Sequence, residues 1–273
     1  MGSDLFNLKD RTVVVTGGMG QLGQQFSLSL VQAGARVACV DVVKEPRKGD
    51  QKFLELLSEK KQLKAFTTDI TKPEEIKKTF QEIKSSMGVP WGLVNNAALD
   101  SPPNASLEEN GPFESYPEAS LRKIMDVNVL GTTFACQVFG EAMAQNDGGS
   151  IINIASIYGL VSPNQDIYEF KREGGKPWFK PVAYSISKSA VFNLTRYLAT
   201  YWAKQNVRVN TITPAGIFNN QDQKFLDEYL KRMPMGRMAK PDELNGAVVF
   251  LMSDASSYMT GSNLVIDGGW TAW

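Results

Sequence analysis

Thr12 to Asp41 restricts the fold more than any other stretch of this chain. Thr12 to Thr16 is apolar and β-branched, as a buried strand requires. Gly17-Gly18-Met19-Gly20 then turns the chain. Gln21 to Ala33 reads as a helix with Leu22, Phe26 and Leu30 on one stripe, and Gly34 ends it. Arg36 to Val40 is a second apolar strand, closed by Asp41. This is a βαβ unit with glycines in its first turn.

That unit carries a binding expectation. Gly17, Gly20 and Gly23 let backbone approach a phosphate and let the helix pack close to the strand. The orphan N–H groups at the helix start suit an anion. Asp41, at the end of the second strand, suits the hydroxyls of an adenosine ribose, and a 2′-phosphate there meets like charge. NAD is therefore favoured over NADP, with Lys44 and Arg47 close enough to keep NADP open.

The rest of the chain repeats the alternation. Lys52 to Leu63 is a charged amphipathic helix and Lys64 to Thr67 a strand; Thr71 and Glu74 form a capping pattern before a helix to Ser86. Trp91 to Val94 is the next strand, and Asn95 and Asn96 after it suit ties between backbone segments. Ser120 to Ala144 is a long helix with Asn128 in its interior. Ser150 to Ile154 and Val207 to Ile212 are strands; Pro241 to Met252 is a helix; Asn263 to Ile266 is the last strand. The pattern predicts an α/β fold: one doubly wound, open parallel sheet with helices on both faces. Residues 1–273 are expected to form a single domain, since no linker or repeat interrupts them.

Composition removes several functions. The chain has 273 residues, 42% of them hydrophobic, and no histidine. That excludes Ser-His-Asp and Cys-His hydrolysis and histidine-ligated metals. The net charge is zero and no basic block occurs, so no nucleic-acid partner is expected. Cys39 and Cys136 are the only cysteines and read as buried thiols in a reducing compartment. No signal-like start and no run of about 18 apolar residues appears. A cytoplasmic protein without a membrane partner is expected.

The chemistry concentrates in two stretches. Ser156 follows a strand, and Tyr184-Ser185-Ile186-Ser187-Lys188 opens an amphipathic helix running to about Ala203. Positions four apart share a helix face, so Tyr184 and Lys188 point at one spot. A nearby cation lowers a phenol's pKa and makes it a usable acid or base. Asn128 is read either as a bridge between backbone segments or as the holder of a water joining Lys188 to solvent. Asp69 is read as an adenine contact or a plain turn residue. Tyr168 rivals Tyr184, with Lys171 and Arg172 nearby, but its surroundings lack helical periodicity. Leu160 to Pro181 mixes aromatics, charges and glycines, including Lys171 to Gly175, and suits a partly ordered flap. Residues 99–119 form a long loop, and 217–232 a lid.

With these pieces in this order, the chain resembles the short-chain dehydrogenase/reductase family across nearly its whole length. The resemblance implies a Rossmann-like sheet of about seven strands and a nicotinamide cofactor. The family's glycine signature falls on Thr16, Gly17, Gln21 and Gly23, with Gln21 where a glycine is usual. Its Asn-Asn-Ala-Gly signature is Asn95 to Ala98, ending in alanine. Its four active-site residues fall on Asn128, Ser156, Tyr184 and Lys188. The cofactor contacts it implies are Gly17, Gly20, Gln21, Leu22, Gly23, Asp41, Asp69, Ile70, Asn96, Ala97, Ala98, Tyr184, Lys188, Pro214, Gly216, Ile217 and Asn219. Two segments are long for the family and imply insertions near 99–119 and 160–181. The C-terminal half, through Gly261 to Trp270, is similar to the sugar- and polyol-oxidising branch and to proteins linked to nonulosonic acid synthesis.

The expected reaction exchanges a hydride between NAD and a secondary alcohol or ketone, without a metal. Tyr184 moves the proton, Lys188 lowers its pKa and binds the nicotinamide ribose, and Ser156 holds the reacting oxygen. A small sugar or polyol is the expected substrate, from the polar content of the loops: Asn104, Asn164, Gln165, Asn219, Asn220 and Gln221. The alternatives are an NADP-dependent 3-oxoacyl or other ketone reductase, and an inactive dinucleotide-binding regulatory protein. The resemblance implies a homotetramer or homodimer built on the helices at about 121–144 and 183–203.

Overall fold

The computed structural model describes residues 5–46, 48–100, 107–172, 175 and 177–273. Arg47, Asn104, Glu173 and Gly174, named above, lie outside the described residues. Seven strands form one sheet: β1 (Thr12–Thr16), β2 (Arg36–Asp41), β3 (Leu63–Thr67), β4 (Gly92–Asn95), β5 (Gly149–Ile154), β6 (Val207–Pro214) and β7 (Asn263–Ile266). Their order is β3-β2-β1-β4-β5-β6-β7, and every pairing is parallel. The winding reverses between β1 and β4. At that reversal the crossovers part and leave a crevice beyond the carboxyl ends of the strands.

Alternation along each strand builds two cores. Val13, Val15, Val37, Cys39 and Ile152 face one layer with Phe26 and Leu30 of the helix α1 (Gln21–Gln32). Val14, Ala38, Val40, Ile151 and Val209 face the other, with Ile76, Phe139 and Trp202. Both faces are covered, which is why the central strands read as unbroken apolar runs.

Element ends follow local chemistry, in places against expectation. The second helix covers Gln51–Glu59, capped by Asp50 and ended at Lys60 in the left-handed region (φ 53°). The third, Pro73–Met87, starts at a proline, whose fixed φ suits the first helical position. The expected Thr71–Glu74 cap does not form. Thr71 donates to Asp69 Oδ1 at 2.7 Å, Glu75 accepts the Asp69 N–H at 2.9 Å, and Glu74 pairs with Lys77. The helix expected over 120–144 begins at Glu118 and passes through π-helical turns at Asp126–Gly131 and Cys136–Gly140. The helix expected from Pro241 is regular only over Asn245–Met252.

Described residues of the segment 160–181 pack against the body of the protein. Asn164 caps a 3-10 turn, Gln165–Lys171, whose Ile167 and Tyr168 are buried. They join Tyr229, Met233 and Met238 in a third apolar cluster. Five rings run through it in contact: Trp178 to Tyr168 (4.7 Å between centroids), Tyr168 to Phe225 (5.8 Å), Phe225 to Tyr229 (5.2 Å) and Tyr229 to Trp270 (4.4 Å). The insertion, the helix Gln223–Leu230 and the C-terminal loop are thereby joined.

Candidate active site

The glycine turn leaves β1 with Gly17 at φ +63°. A Cβ at Gly17 would lie 2.8 Å from the Ala97 Cα. At Gly23 it would lie 2.1 Å from the Gly17 carbonyl oxygen. No side chain fits there, and the turn packs directly on α1 and on the residues after β4. Gly20, the N-cap of α1, brings no side-chain cap, so the helix's first N–H groups face the crevice. Asn96 closes the other side: its Nδ2 donates to the Thr16 and Gly17 carbonyls, both at 3.1 Å. Gln21, where the family has glycine, reaches the Phe218 carbonyl at 2.9 Å and ties the turn to the lid.

The resulting cleft holds about 890 Å³. Gly17, Gly20, Gln21, Leu22, Asp41, Asp69, Ile70 and Asn96 to Ala98 all line it. The Asp41 carboxylate is oriented by backbone, accepting the N–H of Met19 at 3.0 Å and of Val43 at 3.2 Å. Each oxygen keeps capacity for a further donor. The Asp69 carboxyl is held below its ordinary value: hydrogen bonds from Thr71 and the Lys72 charge outweigh its burial, the largest single effect.

A second cavity of about 550 Å³ continues from the first, sharing Leu22, Asn96 and Ala98. Ser156, Tyr184 and Lys188 line it, with Pro214, Gly216 and Ile217. Ser156 follows β5 and caps the short helical turn Ile157–Leu160, accepting the Tyr158 N–H at 3.2 Å. Gly159 sets the spacing. Its Cβ would lie 2.7 Å from the Lys188 backbone carbonyl, so only glycine brings this turn against the helix Val182–Tyr201. The Ser156 and Tyr184 side chains then line one cavity, and the Ser156 hydroxyl acts on the Tyr184 phenol.

The electrostatics differ from expectation. Burial pushes the Tyr184 phenol up, the Asp100 charge adds to this, and only the Ser156 hydrogen bond pulls it down. Lys188 lies one turn further along the same helix. Its ammonium is buried, donates to the Ile154 carbonyl at 2.7 Å and lies 5.8 Å from the Tyr184 ring centroid. Burial in turn lowers Lys188 from 10.5 to about 8.

Three expected residues stand apart from both cavities. Gly23 acts through backbone packing, as above. Asn128 is buried, and both its donors are spent on the Leu99 carbonyl (2.8 Å) and Ser187 Oγ (2.9 Å), while its oxygen accepts the Leu99 N–H (2.7 Å). Its side chain therefore ties the Leu99 backbone to Ser187. Asn219 is exposed and donates its N–H to Gln221 Oε1 at 2.7 Å; Asn220, at φ 55°, swings the chain away. Gln221 lines the cavity instead.

Tyr168 lines the same cavity but lacks the cations that its sequence neighbourhood suggests. Lys171 lies over the Trp178 ring at 4.4 Å, and Arg172 donates to the Trp178 and Gln165 carbonyls. Burial raises Tyr168 to about 12, and its hydroxyl meets that of Tyr158 at 3.4 Å.

A family model described as Enoyl-(Acyl carrier protein) reductase matches residues 20–271. D-arabinitol 2-dehydrogenase (ribulose-forming) of Candida tropicalis is 33% identical over 98% of this chain and 95% of its own length. The chain belongs to the short-chain dehydrogenase/reductase family. This short-chain dehydrogenase/reductase is also 32% identical to the NAD-dependent glycerol dehydrogenase of Listeria innocua, over 97% of this chain and 96% of that protein. Among solved structures, a short chain dehydrogenase from Leptospira borgpetersenii with bound NAD+ aligns with a TM-score of 0.84 at 32% identity. That alignment covers 99% of this chain and 96% of the other.

Several lining residues escaped the sequence reading: Tyr158, Asp100, Lys180 and Asp222, with Gly159 beneath them. Lys180 lies four positions before Tyr184, but the helix starts at Val182, so helical spacing gave no cue. In the folded chain its ammonium pairs with Asp100 and sits 5.4 Å from the Tyr184 ring centroid.

Lys188 also makes a stability prediction. Its folded value, about 8, lies below its ordinary 10.5, so between these two the unfolded chain binds the extra proton. Its contribution to stability rises with pH across that window and is flat below it. Denaturant titrations of wild type and Lys188→Met from pH 8 to 10.5 should show the wild type gaining relative to the variant. Parallel curves would contradict the burial cost.

Proposed function

We propose that the chain transfers a hydride between NAD and a secondary alcohol or ketone of a small polar molecule of the sugar or polyol kind. One observation carries this reading. Ser156, Tyr184 and Lys188 together line a cavity that opens into a glycine-turned cleft large enough for a dinucleotide.

The cleft fits the cofactor. The glycine turn leaves no Cβ in the crevice, and uncapped N–H groups of α1 suit its phosphates. Asp41 would hold the adenosine ribose, Asp69 and Ile70 the adenine edge, Asn96 to Ala98 one wall, and Lys188 the nicotinamide ribose. Pro214, Gly216 and Ile217 would meet the nicotinamide end. When bound, the cofactor supplies the hydride chemistry. Tyr184 takes the proton from the substrate hydroxyl in oxidation and returns it in reduction. Ser156 holds that oxygen through its hydroxyl. Lys188 keeps a positive charge near the phenol, while Asn128 holds the Leu99 loop against the helix that bears both.

The cavity walls support a polyhydroxylated substrate. Tyr158, Tyr168, Trp178, Phe225 and Tyr229 offer ring faces to the C–H side of a sugar. Asp100, Asp222 and Gln221 offer acceptors to its hydroxyls. The D-arabinitol and glycerol dehydrogenases among the relatives point the same way. NAD is favoured by Asp41, by the NAD-dependent relative and by the NAD+-bound structure.

The reading extends to a reducing, cytoplasmic setting, from two free buried thiols, and to a homotetramer or homodimer. The second rests on the exposed Leu130, Ile186, Tyr197 and Tyr201 along the helical segments 118–144 and 182–201. No helix of the described residues is long and apolar enough to cross a membrane.

A coupled screen tests the function: polyols, sugars and hydroxy acids with NAD or NADP, and ketones including 3-oxoacyl thioesters with NADH or NADPH. NADH formation from a polyol or sugar is expected, with NAD preferred at least about tenfold and the preference lost in Asp41→Ser. Preference for NADPH with ketones would favour the reductase alternative and remove the role given to Asp41. Cofactor binding without turnover on any substrate would favour the regulatory alternative.

A further inference from the structure

Two ammonium groups lie over the ring of Tyr184. Lys188, on the same helix, is 5.8 Å from the ring centroid, and Lys180, just ahead of that helix, is 5.4 Å from it. The mechanism above uses the first and not the second. Lys180 belongs to the long segment 160–181, and its partner Asp100 to the long segment 99–119.

The pair is held in place. The Gln165 side chain grips the Lys180 backbone, accepting its N–H at 2.8 Å and donating to its carbonyl at 3.5 Å. One residue earlier, the Phe179 N–H donates to the Asn110 carbonyl at 2.8 Å and ties the two segments together. The Lys180 ammonium donates to both Asp100 oxygens. Its side chain is 12% exposed and that of Asp100 57%, so water screens the acid more than the base.

Other groups face the phenol as well. Asp222, Lys171, Tyr158 and Tyr229 line its cavity, with Ser156. Asp222 caps its own helix, and Lys171 lies over Trp178. The Ser156 hydroxyl lowers the phenol, while Tyr158 and Tyr229 raise it. Of the two acids lining the cavity, Asp100 is the one whose charge reaches both Tyr184 and Lys188. It raises each of them, second in size to burial, which raises the phenol and lowers the ammonium. A negative charge favours the protonated form of both groups, and a cation clamped to it weakens that effect.

We propose that Asp100 and Lys180 are positioning residues for the proton exchange: Asp100 holds the protons on Tyr184 and Lys188, and Lys180 limits that hold. The inference rests on the hydride-transfer reading above, in which Tyr184 moves the proton.

The test follows kcat against pH in wild type, Asp100→Asn, Lys180→Met and Lys180→Arg, oxidising the polyol that turns over fastest in the coupled screen. Activity should rise with pH as the coupled Tyr184–Lys188 pair loses its proton. Asp100→Asn should move the midpoint of that rise down by about half a pH unit, up to about threefold in rate on the limb. Lys180→Met should move it up by about as much, and Lys180→Arg, which keeps the charge, should restore it. A merely structural pair would change the plateau and leave the midpoint. Unmoved midpoints, or the same direction in Asp100→Asn and Lys180→Met, would overturn the proposal.

A readout without turnover separates this from failure of the functional reading. The contribution of Lys188 to stability varies with pH between about 8 and its ordinary 10.5. Denaturant titrations with and without Lys188→Met locate the lower edge of that window in each background. The edge should fall by about half a unit in Asp100→Asn and rise in Lys180→Met. If no polyol is oxidised, edges moving in these opposite directions still support the proposal. Edges that stay at the wild-type position overturn it.

Discussion

Tyr184→Phe is expected to lower kcat about 10³-fold while the NAD dissociation constant stays within about twofold. The change removes one oxygen and keeps the ring. Lys188 stays on the Ile154 carbonyl and the cleft that would hold the cofactor is untouched, so binding has no reason to move. The lost hydroxyl belongs to the cavity that Ser156 and Lys188 also line. No other phenol there is equivalent. Burial drives Tyr158 upward above all other effects, Tyr168 faces Tyr158, and the Tyr229 hydroxyl accepts the Gly216 N–H at 2.8 Å. Steady-state kinetics and fluorescence titration on Tyr184→Phe and Tyr168→Phe separate the two candidates. The second variant should lose less than about tenfold, because it disturbs only packing and one long hydroxyl contact. The reverse order would move the acid–base role to the insertion.

Gly23→Ala should weaken NAD binding about 100-fold and destabilise the fold by about 1–3 kcal/mol. The added carbon would sit 2.1 Å from the Gly17 oxygen and 2.7 Å from the Gly18 Cα. Both are backbone atoms of the turn itself, so no rotamer change relieves the overlap. Either α1 backs away from β1 or the turn shifts, and both displace the N–H groups that suit the phosphates. Calorimetric titration with NAD and thermal denaturation measure the two losses. A variant that binds NAD as wild type does would show that the turn is not the phosphate cradle. Gln21→Gly is the informative contrast, since it frees the Phe218 carbonyl and leaves the turn intact.

What could be read before folding was local or periodic. Buried strands such as Val13–Val15 and Ile151–Ile154 announce themselves as apolar runs, and the glycine turn by its place between strand and helix. Tyr184 and Lys188 were legible because one helix carries both. Contacts between distant segments were not. Asn128 drew notice as a polar residue inside a helix, but its partner Leu99 lies in a loop with no pattern of its own. The insertion read as a partly ordered flap because 160–181 is aperiodic; the packing of its described residues comes from Phe225, Tyr229 and Trp270, far along the chain. The misplaced cap at Thr71 has the same origin, since Pro73 fixed the helix start and handed the reach-back to Glu75. Burial, which raises the Tyr184 phenol above all other effects, could not be read from the spacing that puts Lys188 near it.

The central claim is that a phenol beside Ser156 exchanges a proton while the adjoining cleft presents a nicotinamide to the same substrate carbon. A crystal structure with NAD and a substrate polyol bound tests it most directly. The account predicts the nicotinamide's reactive carbon facing the alcohol-bearing carbon, whose oxygen lies within hydrogen-bond reach of both Tyr184 and Ser156. A nicotinamide ring ordered elsewhere, or a polyol oxygen held away from the Tyr184 hydroxyl, would contradict it.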